Sequence, residues 1–238
     1  MGFVTEIDIE QYRLRSLPER AYYIADFITP EEEQFILDKV LTAPAPKWTT
    51  LSHRRLQAYP TQLISGVLPT NEPLPSWLAD TCTRKLTELG IWAESPHKTA
   101  NHCLINEYEP GQGIMPHEDG DAYYPLVATV SLRSQIVLEV IDKSTRQLSH
   151  RILQEPRSLL ITTEKVYNEF LHGIRDIKTD NNLTPESVAN WSSISQTVKD
   201  KITFNHGSLP RENTRISLTF RDVNKVRNLI SLLYSRKK

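Results

Sequence analysis

From residue 101 onward the chain is a series of short apolar segments separated by turns, which argues against a helical bundle. Segments 102–108, 126–131, 135–141, 147–153, 158–162, 170–174 and 215–222 carry β-branched or aromatic residues between turn formers, the pattern of strands. So many short strands with few helices call for a barrel or a double-sheet jelly roll, of which cupins are one form. Facing sheets in such a fold can aim side chains from different strands into one cavity.

Ahead of this region the signals are mixed. Residues 1–20 form a polar segment, and 21–238 read as a single domain. Residues 21–28 read as a strand. Thr29-Pro30-Glu31-Glu32 then opens a helix, with Thr29 as N-cap, Pro30 at the first helical position and Glu32 closing a capping box. Phe35, Ile36 and Val40 continue this helix up to Ala43-Pro44. A loop with Pro69, Pro73 and Pro75 precedes a second helix through Trp77, Leu78, Cys82, Leu86 and Leu89, closed by Gly90. The fold class expected is α+β, mainly β, with these N-terminal helices packed on one sheet. Residues 176–212 form a polar insertion, read as mobile with a short helix at 185–191, and the tail 223–238 reads as helical.

Composition narrows the setting. With 39% hydrophobic and 24% charged residues the balance is that of a soluble domain. The net charge of -1 supplies no global basic field, so a nucleic-acid partner would need a local patch. Cys82 and Cys103 form no disulfide framework, which suits a reducing compartment, cytoplasmic and nuclear by default. No apolar leader or membrane-length apolar run is present, so no membrane association is expected.

The chemistry gathers at residues 106–120, which end in His117-Glu118-Asp119-Gly120. On an extended segment His117 and Asp119 point the same way and Glu118 turns aside. One imidazole and one carboxylate are two-thirds of the facial triad that holds non-heme Fe(II) with open positions. Of the seven histidines, His172 lies in the apolar strand-like segment 169–174, whereas His150 and His206 lie in polar surroundings. His172 is therefore the candidate third ligand; the alternative is a core histidine paired with backbone. Strand 215–221 places Arg215, Ser217, Thr219 and Arg221 on one face and Ile216, Leu218 and Phe220 on the other. Two arginines on a cavity face suit a dicarboxylate, because guanidinium matches carboxylate in two-pronged geometry. Asn106 and Tyr108, two apart on the strand before the triad, reach the same cavity.

Residues 47–60 interleave basic and aromatic side chains, as stacking faces and phosphate contacts require. Trp48, His53, Arg54, Arg55 and Tyr59 are candidates for a nucleotide-recognition lid; a surface hairpin is the plainer reading. Tyr123 and Tyr124 are candidates for stacking on a substrate ring, or for packing at the barrel rim.

Taken together, Asn106-x-Tyr108, His117-x-Asp119, His172 and Arg215-x-Ser217-x-Thr219-x-Arg221 resemble the AlkB-type Fe(II)/2-oxoglutarate dioxygenases. The runs 44–48, 110–120 and 155–160 are similar to the sixth AlkB homologue subfamily. The resemblance implies a double-stranded β-helix core, Fe(II) held by His117, Asp119 and His172, and 2-oxoglutarate with its C5 carboxylate on Arg215. Asn106, Tyr108, Ser217 and Arg221 would complete the co-substrate site, with O2 as the oxidant. It further implies a monomer that oxidatively demethylates alkylated bases of RNA or single-stranded DNA. Two departures stand out. Ser217 occupies a position where family members often carry Asn, and 43 positions separate His172 from Arg215, more than a strand and turn require. A dioxygenase of proteins or small molecules, and a non-catalytic nucleic-acid-binding module, remain the alternatives.

Overall fold

The computed structural model describes residues 8–18 and 20–228. Its strands are β1 (Ala21–Ile24), β2 (Thr49–Leu51), β3 (Arg54–Tyr59), β4 (His102–Tyr108), β5 (Ile114–His117), β6 (Leu126–Leu132), β7 (Ile136–Asp142), β8 (Leu148–Gln154), β9 (Leu159–Thr163), β10 (Phe170–Ile174), β11 (Thr179–Asp180), β12 (Leu209–Pro210) and β13 (Arg215–Arg221). The helices are α1 (Pro30–Leu41), α2 (Ser76–Leu78), α3 (Arg84–Glu88), α4 (Glu164–Glu169) and α5 (Gln196–Phe204). A large antiparallel sheet runs β1-β9-β6-β13-β4-β3-β2, and a smaller one runs β5-β10-β7-β8. This is the expected jelly roll with its N-terminal helices on one sheet. All seven segments read as strands from residue 101 onward are present.

The reason lies in strand β13, which is buried along its whole length. Ile216, Leu218 and Phe220 join Ile36, Val40, Leu78 and Leu86 in a core between the large sheet and the helices. The alternate residues face the space between the sheets. α1 starts as its sequence indicates, with the Thr29–Glu32 capping box formed in both directions. α2 and α3 are joined by a π turn over Ala79–Thr83. That keeps Cys82 and Leu86 on the buried side.

Other features differ from the sequence reading. The strand expected over 21–28 ends at Ile24, where the chain turns. The segment read as polar up to residue 20 buries Leu14 and Leu17 in a second core between the sheets. The 176–212 insertion is an ordered excursion, not a loose one. Its Leu183, Val188, Ile194, Ile202 and Leu209 pack on Val137 and Leu153. The buried Asn190 amide accepts from Leu153 N at 2.9 Å and donates to Leu153 O at 2.7 Å, closing part of the edge of β8. A buried Arg211–Asp180 pair fastens the base of the insertion. Its helix is α5, not 185–191. The anchors are too irregularly spaced to form a periodic signal. Residues 223–228 are not helical; Val223 bridges to Tyr123 and Val226 to Leu68. The rest of the tail expected to be helical lies outside the described residues. No helix among the described residues is long and apolar enough to cross a membrane.

His102 on β4 is buried, with Nε2 3.2 Å from the Thr61 carbonyl and no partner for Nδ1. Burial, reinforced by the Arg221 charge, pushes its pKa down to about 4. The unfolded chain then binds the extra proton between about pH 6.5 and 4, so stability falls as pH drops through that window. From pH 7 to 5 His102 costs about 2 kcal/mol on this basis. Chemical denaturation of His102→Leu should show a correspondingly smaller loss over the same interval.

Candidate active site

Between the sheets lies a cavity of about 260 Å³. The large sheet contributes Asn106 and Tyr108 from β4 and Arg215, Ser217, Thr219 and Arg221 from β13. The register sets Arg215 opposite Tyr108 and Ser217 opposite Asn106. The small sheet contributes His117 and His172, which face each other across β5 and β10. Their ring centroids are 4.4 Å apart. The close pairing of these strands depends on glycine. A Cβ on Gly173 would lie 3.0–3.1 Å from Pro116 and Ile114 backbone, and one on Gly113 would lie 2.2 Å from the Ile174 carbonyl. β5 itself, with Pro116 inside it, is an edge strand, where proline is tolerated.

Asp119 completes the group. Ligand atoms of His117, Asp119 and His172 all lie within 4.8 Å of one another. The Asp119 carboxylate is buried; Oδ1 accepts from Arg221 Nη2, and Oδ2 is 3.8 Å from His172 Nε2 with no hydrogen-bond partner. Burial pushes this carboxyl's pKa up, but Arg221 and the two imidazoles outweigh it and hold the group below the ordinary carboxylate range. For His172, 32% exposed toward the cavity, desolvation overcomes the pull of Asp119 and lowers the pKa to about 4. The imidazole is therefore neutral near pH 7, with a lone pair to offer. The His117 Nδ1 sits 2.9 Å from the Met115 carbonyl. A carbonyl can only accept, so Nδ1 carries the proton and Nε2 is left as the donor atom.

At the other end of the cavity, Arg215 is buried with neutral partners. Nε donates to Ser131 Oγ at 2.9 Å and Nη2 to Gln154 Oε1 at 3.2 Å. Among the described residues no carboxylate pairs with it. Desolvation lowers its pKa to about 10, which still leaves it charged.

The model of the 2OG-Fe(II) oxygenase superfamily matches residues 62–221. The chain is 41% identical, over 92% of both chains, to a Danio rerio protein named Probable RNA/DNA demethylase ALKBH6. The chain belongs to the 2OG-Fe(II) oxygenase superfamily. It is an Fe(II)- and 2-oxoglutarate-dependent dioxygenase that uses O2. A Xenopus tropicalis tRNA (carboxymethyluridine(34)-5-O)-methyltransferase, alkbh8, is 30% identical over 94% of this chain but only 35% of its own length. Among solved structures, that of OsALKBH1 superposes with a TM-score of 0.52 at 15% identity, over 87% of this chain and 99% of that one. That similarity speaks for the fold alone.

The residues present fit what the dioxygenase requires. A buried carboxylate oxygen without a partner, flanked by two imidazoles with available nitrogens, is a donor set for a hard-to-borderline divalent ion such as Fe(II). The unpaired Arg215 fits the remote carboxylate of 2-oxoglutarate.

The expected lid residues fare unevenly. Residues 49–59 are the edge hairpin of the large sheet, because β3 pairs with β4 from Arg55 to Tyr59. Strand alternation sends only one of the five candidates into the cavity: Arg54, whose Nε donates to Asn106 Oδ1 at 3.1 Å. Arg55 pairs with Glu107 and stacks on Trp48 at 4.0 Å, away from the cavity. Tyr59 is buried in the core against Trp77. His53, at the hairpin tip, meets Asp176 at 3.2 Å. Of the two tyrosines, Tyr123 lines the cavity beneath the Arg221 guanidinium, 4.9 Å away. Tyr124 packs toward the helix-side core. Arg221, read as a co-substrate residue, lines the cavity but is taken up by Asp119. The sequence reading missed Tyr167 and Gln154, which also line the cavity. Nothing marked them, since their elements carry no metal-site motif.

Proposed function

We propose that this dioxygenase removes an N-alkyl group from a nucleic-acid base in RNA or single-stranded DNA. His117, Asp119 and His172 are its iron ligands, and Arg215 holds the C5 carboxylate of 2-oxoglutarate. Tyr108, Ser217 and Asn106 shape the co-substrate pocket around it. The observation that carries the reading is Arg215, a buried cation with only neutral partners, in one cavity with the triad. A cationic group desolvated this way costs stability unless it serves an anion.

Bound at His117, Asp119 and His172 and against Arg215, Fe(II) and 2-oxoglutarate would supply the oxidising power to put one oxygen atom of O2 into a substrate C–H bond, the other ending in succinate with loss of CO2. An oxidised N-methyl group becomes N–CH2OH, which breaks down to the N–H base and formaldehyde. The protein's part is orientation and charge. Arg221 keeps Asp119 ionised and turned toward the imidazoles. His172 stays neutral, as ligation requires, and the Met115 carbonyl turns His117 Nε2 toward the ion. Tyr123, which lines the cavity with Arg221 over its ring, is the stacking candidate for a planar base, and Arg54 offers a cation at the hairpin side of the cavity. A base within a duplex must first leave the stack to reach this depth. The Danio rerio relative, named a probable RNA/DNA demethylase, supports a nucleic-acid substrate. The same reading makes 21–238 one catalytic domain acting as a monomer, in the cytoplasm and nucleus.

Methylated single-stranded RNA and DNA oligonucleotides incubated with Fe(II), ascorbate and 2-oxoglutarate should lose methyl and release formaldehyde. Binding should weaken with salt, because phosphate contacts release counterions. The Arg54→Ala enzyme should bind the oligonucleotide more weakly and with a shallower salt slope. Succinate formation with every oligonucleotide unchanged would move the substrate to a protein or metabolite.

A further inference from the structure

Asp119 is carried by a loop, and that loop is strapped on both sides of the carboxylate to one short helix. Residues 121–124 are held by the chain after β13: Asn224 N donates to Ala122 O at 2.9 Å and Tyr124 N to Asp222 O at 2.8 Å. Between them and β5, the Asp119 carboxylate itself is held by Arg221, but among the described residues little packs on its neighbours Glu118 and Gly120. Glu118 is 55% exposed, and a Cβ on Gly120, at φ +85°, would meet no atom within 4 Å. What holds this side is hydrogen bonding. Tyr167 Oη donates to Gly120 O at 2.8 Å. Lys143 Nζ donates to the Glu118 carboxylate and, at 2.7 Å, to Asn168 O. Tyr167 and Asn168 belong to α4, which is anchored in the core by Val166 and runs directly into β10 with His172.

We propose that Lys143 and Tyr167 are positioning residues for the metal centre, tying the loop that carries Asp119 to the element that carries His172. The proposal rests on His117, Asp119 and His172 being the ligand set. Neighbours of Asp119 on both sides, Glu118 and Gly120, are bonded to the same six-residue helix or to the lysine that caps its end. Movement of α4 and movement of the carboxylate are thereby coupled. With either strap removed, Arg221 still holds the carboxylate but the loop on either side of it is loosened, and the carboxylate spends less time at the distance from the imidazoles that sharing an ion requires. Groups that orient metal ligands in this way are typically worth 10- to 100-fold in metal affinity. The Lys143–Glu118 pair is partly solvated, with 30% and 55% of the side chains exposed, so it adds little to folding stability. That separates a positioning role from a merely structural one.

The test is a Mn2+ titration of the full-length apoprotein, with free ion read by electron paramagnetic resonance and thermal melting followed in parallel. Lys143→Met and Tyr167→Phe should each weaken Mn2+ binding about 10-fold, and the double variant about 100-fold. Melting of Lys143→Met should match the wild type, and Lys143→Arg should restore affinity. Wild-type affinity in the double variant would overturn the proposal, as would a weakening seen only in variants that melt early. Unchanged affinity in His172→Ala would instead overturn the ligand set itself, and the proposal with it.

Discussion

Asp119→Ala is expected to abolish 2-oxoglutarate turnover and, in the same protein, to cost about 3–5 kcal/mol of stability. The first loss follows from removing the one carboxylate of the triad. The second follows from Arg221, which is buried and whose Nη2 donates to Asp119. Its Nε already lacks a partner. With Asp119 gone, a buried guanidinium is left uncompensated in the middle of the domain. His172→Ala should behave differently: turnover is lost, but no buried charge is stranded, so stability holds. Succinate formation and chemical denaturation of both variants check this. Measurable turnover in Asp119→Ala would remove this residue from the metal site.

For Arg215→Met the two effects should have opposite signs. Replacing a buried charge that has no counter-ion with an apolar side chain of similar length is neutral or stabilising by about 1–4 kcal/mol in comparable cases. Ser131 and Gln154 lose a donor, which offsets part of the gain. The apo variant should therefore melt no lower than the wild type, and up to a few degrees higher. Binding of 2-oxoglutarate should fall steeply, since losing one partner of a buried charge pair costs about 2–5 kcal/mol, or roughly 30-fold and upward. Addition of 2-oxoglutarate at 100 times the wild-type dissociation constant should stabilise the wild type by about 2.7 kcal/mol and the variant by no more than about 1 kcal/mol. An unchanged KM for 2-oxoglutarate would take the co-substrate away from Arg215. A more stable, less competent variant is what a site that stores an unpaired charge for its ligand should yield.

The division between sequence and structure is visible at particular residues. Period-two alternation along 215–221 already told which side chains of β13 meet the cavity, because successive residues of a strand face opposite ways. The i, i+2 spacing of His117 and Asp119, the strand context of His172 and the capping box at Thr29 were legible for the same reason: each is a local rule that a few neighbouring residues satisfy by themselves. The same alternation, applied without knowing which strand pairs with which, failed at 47–60. Arg54, Arg55 and Tyr59 share one strand, yet only pairing of β3 with β4 decides that Arg54 faces the cavity and Tyr59 the core. The insertion was misread as mobile because Leu183, Val188, Ile194, Ile202 and Leu209 lack a period and find their common surface only on Val137 and Leu153. Tyr167, Gln154 and Lys143 had no local signal at all; their partners lie 47, 61 and 25 positions away. The chain alone thus determined the fold class and singled out His117, Asp119, His172 and Arg215 as the candidate site, since these rest on spacing and residue chemistry. Sheet pairing and loop packing decided which basic and aromatic residues reach the cavity and what holds Asp119 in place, because those depend on contacts between segments far apart in sequence.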